Sequence, residues 1–133
     1  MIGLADVRDY IATLSLTKDE NVYSGKLDNK KDKSIGIYNL KQNTGARICL
    51  GGLESTPYRI KPISILVHWN KSQRDTEKVS MQLYELLQNS SKIQINNEKV
   101  SYIKMLSDEP IDVGTDDSGV YESVIQIEIY YER

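Results

Sequence analysis

The chain has 133 residues, 39% of them apolar and 27% charged, with a formal net charge of −2. A domain of this length buries about two-thirds of its unfolded surface and needs no disulfide or metal staple. The proportions exclude a disordered chain, a collagen and a coiled-coil rod, and the slight acidity argues against a dedicated nucleic-acid binder. No run approaches the roughly 18 apolar residues of a membrane span. The opening Met1-Ile2-Gly3-Leu4-Ala5-Asp6 has neither the basic nor the apolar region of a secretory signal. A single cysteine, Cys49, cannot form an internal disulfide and fits a reducing cytoplasm. With no linker, repeat or low-complexity tract, the whole of 1–133 is expected to be one domain.

Leu4, Val7, Ile11 and Leu14 recur at helical spacing, with Asp6 and Asp9 in the first turns, and predict a first helix over 4–15. A polar stretch over 17–33 surrounds Val22-Tyr23, read as a strand near 22–26 followed by an exposed turn near 28–33. Ile35, Ile37 and Tyr38 mark a strand over 34–40, and Arg47-Ile48-Cys49-Leu50 a short one before Gly51-Gly52. Pro62 to Trp69 is β-favouring on both faces, which suggests a central strand. Ser72 opens a second helix over 72–88 as its N-cap, with Asp75 placed to reach back in a capping box. The stripe Val79, Leu83, Leu86, Leu87 is expected to be buried. Ile93 and Ile95 form a strand, Asn96-Asn97 signals a tight hairpin, and 100–106 returns. Residues 107–119 read as a long acidic loop. From Val120 to Tyr131 the chain alternates, Ile125, Ile127, Ile129 and Tyr131 against Val124, Gln126, Glu128 and Tyr130. The predicted class is α+β: a mixed, mostly antiparallel sheet with two helices packed on one face.

The charge is unevenly placed. Residues 105–132 carry eight Asp and Glu and no Lys or Arg, whereas residues 1–104 hold 16 Lys and Arg against 11 Asp and Glu. Either the segregation is a chance one that folding partly neutralises, or the subunit has one acidic and one basic surface, which favours head-to-tail association or an oriented partner.

Catalytic chemistry finds little to use. A Ser-His-Asp or Cys-His arrangement would need the lone His68, with Cys49 in another strand as its candidate nucleophile. One His and one Cys leave only carboxylates to complete a zinc site. The loop from Asp112 resembles a calcium loop superficially, but Asp117 stands at the sixth position where glycine is needed and Ser123 at the twelfth where glutamate is needed. No phosphate-binding motif occurs. Nine tyrosines without a phenylalanine favour an interaction protein, since tyrosine is common at interfaces. No catalytic residue, metal or cofactor is therefore expected, and function is expected from surfaces.

Three stretches carry a resemblance to a known family: Lys61-Pro62-Ile63-Ser64-Ile65-Leu66-Val67-His68-Trp69-Asn70-Lys71 with Leu83-Tyr84-Glu85-Leu86-Leu87; Tyr23-Ser24-Gly25-Lys26-Leu27-Asp28 with Lys33-Ser34-Ile35-Gly36-Ile37-Tyr38-Asn39; and Val113-Gly114-Thr115-Asp116-Asp117-Ser118-Gly119-Val120-Tyr121-Glu122. Together they resemble the minor capsid proteins of tailed bacteriophages, in particular the tail terminators of the head–tail joining region. The resemblance implies a non-enzymatic virion protein, made in the bacterial host cytoplasm. It would assemble as a homo-hexameric ring on the tail tube protein and meet the head–tail connector protein, without cofactor, membrane or specific nucleic-acid binding. A head-completion or neck protein of the same region is the alternative; from another class, a small enzyme or ligand-binding domain would use His68 and Cys49. The interface expectation combines the acidic Asp108, Asp112, Asp116 and Asp117 with the basic Lys26, Lys30, Lys31 and Lys33. Either the acidic segment faces the lumen, where carboxylates would let a genome slide past, or it meets a neighbour's lysines.

Overall fold

The computed structural model describes residues 1–28, 30–40, 52 and 58–132. Helix α1 (Leu4–Thr13) begins where the Asp6 carboxylate accepts the Gly3 N–H at 2.8 Å, and it buries Val7 and Ile11. A 3-10 turn over Asp19–Asn21 leads to the short strand β1 (Val22–Ser24), which pairs in parallel with β2 (Ser34–Asn39). Arg8 fastens this corner. Its Nε donates to the Val22 carbonyl at 2.8 Å, and its terminal nitrogens reach Asp9 and Asp19. Parallel pairing obliges residues 25–33 to carry the chain back along the strand, and that segment bears the lysines.

Strand β3 (Tyr58–His68) is antiparallel to β2 on one side and to β7 (Tyr121–Glu132) on the other. Proline is tolerated within it because the Pro62 carbonyl accepts from Leu40 N–H, just past the end of β2, so the missing donor falls outside the β3–β7 ladder. Helix α2 (Gln73–Gln88) follows, then β4 (Ser91–Ile95) and β5 (Glu98–Met105), joined by Asn96-Asn97. Both asparagines have positive φ, 50° and 63°, the conformation a two-residue hairpin demands. Strand β6 (Ile111–Thr115) completes the set.

The strand order is β1-β2-β3-β7-β5-β4, with β6 also on β7. Strands β5 and β6 lie end to end on the same side of β7, β5 against Ile127–Tyr131 and β6 against Tyr121–Val124. Ile35, Ile37, Ile63, Ile65, Val67, Ile125, Ile127 and Ile129 are buried on one face, in one core with Val7 and Ile11 of α1 and Val79, Leu83 and Leu87 of α2. The fold is α+β, a mixed, mostly antiparallel sheet with its helices on that face.

Several local expectations are corrected. The first helix stops at Thr13, and Ser15 takes a positive φ of 59°. Leu86 is exposed, while Thr76 and Ser80 are buried on α2 and direct their hydroxyls to backbone carbonyls one turn back. Ser72 accepts from Asp75 N–H, but Asp75 does not reach back: Ser72 N–H is held by Asn70 Oδ1 at 2.9 Å. The acidic stretch is not all loop, since it contains β6. The strand expected at 47–50 lies outside the described residues.

Candidate assembly surfaces and the buried histidine

Register brings Ser34, His68 and Glu122 into one row across β2, β3 and β7. His68 is fully buried, and its Nδ1 lies 2.9 Å from Glu122 Oε2 and 3.8 Å from Asp116 Oδ2. A carboxylate only accepts, so Nδ1 carries the proton and donates to Glu122. Nε2 has no partner. Ser34, the neighbouring hydroxyl, donates to the Lys31 carbonyl at 3.1 Å. Cys49 lies outside the described residues. The histidine thus fastens β3 to the start of β7, in a buried place with no access for a substrate.

Asp116 shapes the turn that feeds β7. Its Oδ1 accepts the N–H groups of Ser118 and Val120, each at 2.9 Å, and its N–H donates to the Val120 carbonyl. The bond from Val120 holds its carboxyl below the ordinary 3.8, helped by Ser118 and the neighbouring His68. Gly119, at φ 82°, closes the turn, as the Asp-Ser-Gly pattern suggests. Asp116 is therefore engaged within the subunit, as is Asp112, whose Oδ1 accepts the Gly114 N–H at 2.9 Å.

The other candidates are at the surface. Asp108, Asp112 and Asp117 are exposed, as are Lys26, Lys30, Lys31 and Lys33. None of the four lysines makes an ion pair among the described residues. The two sets do not meet within the subunit. They belong to opposite edges of the sheet, β1 and β6, four strand spacings or about 19 Å apart. They do run along the same half of the strands, with Lys33 at the end that carries the acidic turn. Lys33 N–H donates to the Trp69 carbonyl, and Trp69 N–H to the Tyr121 carbonyl next to the acidic turn.

All five residues of β6 are exposed, including Ile111 and Val113. Between β6 and α2 runs a groove of about 210 Å³, lined by Thr76, Ser80, Met81, Pro110, Asp112 and Tyr121 among others. Sequence reasoning missed this groove. The only signal was the pair Thr76 and Ser80, four apart beside Val79 on the apolar side of a helix. At the other end of the sheet, Tyr58, Tyr130 and Tyr102 stack across β3, β7 and β5 with centroids 5.8 and 4.5 Å apart. Burial pushes the Tyr130 hydroxyl up to about 12. Among the described residues no three His, Cys, Asp or Glu are placed to hold a metal ion, and no helix is long and apolar enough to cross a membrane.

A family model described as bacteriophage tail terminator protein matches residues 3–133. The chain belongs to that family. Among curated proteins, none matches the sequence. Family membership makes this tail terminator a structural protein of the phage tail or neck, belonging to the virion and to its contacts with other tail and head proteins. A structural family also suits the site: the tail terminator's one described histidine is a strand fastener, and its distinctive surfaces are charged edges.

Proposed function

We propose that the whole chain, 1–133, acts as one unit that caps the tail tube as a homo-hexameric ring, stops tube growth and presents a surface to the head–tail connector. The observation that carries this reading is the match to the tail terminator family along nearly the entire fold. The arrangement of charge supports it, because a ring needs heterologous contacts between two different surfaces of each subunit, and β1 and β6 offer oppositely charged ones. The subunit is made in the host cytoplasm, catalyses nothing and holds no cofactor. His68 supports that part of the reading, being sealed between strands with a carboxylate on one nitrogen.

Loss of the protein in an otherwise complete phage provides the test. Tail tubes should overgrow their normal length and remain unjoined to heads, and purified protein added to growing tubes should stop them. Tails of normal length, accompanied by heads that leak DNA, would overturn the terminator role in favour of head completion.

A further inference from the structure

The receiving surface for the neighbouring subunit is legible at β6. We propose that the β6 edge and its groove accept the lysine-bearing segment after β1 of a second copy of this chain, so that copies join head to tail with their sheets side by side. The proposal rests on the ring reading and specifies its contact.

Three observations converge. First, β6 is an unpaired edge: among the described residues it bonds only to β7, its Ile111 and Val113 are 41% and 49% exposed, and Met81 in the groove wall is 43% exposed. Exposed apolar residues on a free edge are a docking liability unless something covers them. Second, the charged residues of the rim are acidic, with Glu77 on α2 and Asp108, Glu109, Asp112 and Asp117 around β6, while on the opposite edge Lys26, Lys30, Lys31 and Lys33, which outnumber the interspersed Asp28 and Asp32, make no ion pair among the described residues. Third, the two patches run along the same half of the strands. Cyclic symmetry keeps each patch at a constant height along the axis, so a rotated copy meets its neighbour only where the complementary patches are level. With the axis along the strands, this pair is level.

The contact uses side chains more than a backbone ladder. A bulge interrupts β6, Gly114 takes φ 87°, and its N–H is already held by Asp112 Oδ1 at 2.9 Å. Lysine suits such a surface, since its methylene stem covers Ile111 and Val113 while the ammonium reaches the carboxylates. The acidic rim also prevents two β6 edges from pairing with each other. Lys92 and Lys99 do not compete, because β4 and β5 lie on the same side of β7 as β6.

The test uses two exposed double variants, Glu109→Lys with Asp117→Lys, and Lys30→Glu with Lys31→Glu. Circular dichroism and urea unfolding confirm that each is folded. By sedimentation velocity at low salt, each should self-associate at least about tenfold more weakly than the unaltered chain, as like charges then face each other. Each should also fail to cap tails. Mixed in equal amounts they should recover, because each contact between unlike variants pairs either the two altered edges or the two unaltered ones, opposite in charge in both cases, and the ring alternates. Unimpaired association of either folded variant, no recovery on mixing, recovery only as a two-subunit species, or an unaltered chain that stays monomeric both free and on tails would each overturn the proposal. If the unaltered chain self-associates as described but leaves tubes growing, the terminator reading fails and the contact stands. If it caps tubes and both variants cap them equally well, the contact fails and the terminator reading stands.

Discussion

Leu83→Ala tests whether α2 is held to the sheet as described. Leu83 is fully buried in the core shared by α2 with β3, β5 and β7. The substitution removes three carbons, a transfer loss of about 2.4 kcal/mol at about 0.8 kcal/mol per buried methylene. Hydrogen-bonded strands beneath the site cannot collapse into the gap, so a residual cavity adds roughly 1 kcal/mol more. A total of about 3–4 kcal/mol falls within the usual range for a buried leucine. For 133 residues the unfolding entropy is roughly 0.28 kcal/mol/K, so the thermal midpoint should drop by about 12 °C. Urea unfolding followed by Trp69 fluorescence reads the loss directly, since this single tryptophan is buried and should redden on exposure. Leu86→Ala, three residues along the same helix but exposed, is the internal control and should cost less than about 1 kcal/mol. A Leu83→Ala loss below about 0.5 kcal/mol, or one equal to the Leu86→Ala loss, would refute the packing of α2.

Gly36→Ala should cost about 1–3 kcal/mol, because its new methyl would lie 2.8 Å from the Tyr38 ring and 3.2 Å from Leu27; an unchanged urea midpoint would show that Tyr38 moves freely. The same change should loosen the lysine-bearing segment, whose Leu27 N–H bonds the Tyr38 hydroxyl at 3.3 Å, and so speed amide exchange there. The folded state lowers the Asp116 pKa below the ordinary 3.8, so its charge contributes stability that is present above about pH 4 and lost as pH falls through the lowered value. Asp116→Asn keeps an oxygen for the turn, and its stability gap to the unaltered chain should therefore be widest above pH 4 and shrink below it; a gap independent of pH would exclude the charge effect. His68→Ala should lower the urea midpoint yet leave tail capping per folded molecule unchanged, and a folded variant unable to cap tails would return the histidine to a functional role.

The sequence made legible those elements whose side chains repeat with a period. In β7, alternation separated Ile125, Ile127 and Ile129 from Gln126, and in α2 the spacing of Val79, Leu83 and Leu87 set the buried side. Asn96-Asn97 announced its hairpin through residues that tolerate positive φ. Strand β6 was illegible for the converse reason. It is exposed on every residue, interrupted by a bulge and flanked by Pro110 and Asp116, so its only strand signal is its pairing with β7, which is non-local. Leu86 misled because a leucine beside a buried stripe looks identical in sequence whether the sheet reaches it or not. The proposed assembly surfaces were half legible: charge segregation along the chain pointed to the residues, but their placement on opposite edges depends on β1 pairing in parallel with β2, which composition cannot reveal.

The position of β7 carries a consequence for the birth of the protein. This 12-residue strand separates β3 from β5 and supports β6, yet it is encoded after all of them, with His68 and Glu122 54 residues apart. During translation at about 5–20 residues per second, β2–β3 and β4–β5 can form as hairpin-like pairs, but each waits with an open flank until residues 121–132 leave the ribosome. The sheet can then close only as a late, long-range event, a slow class of folding step. Because β6 pairs only with β7 among the described residues, the acidic edge does not form before residues 121–132 are available. On the contact proposed above, nascent copies still lacking residues 121–132 would therefore not begin to oligomerise through it.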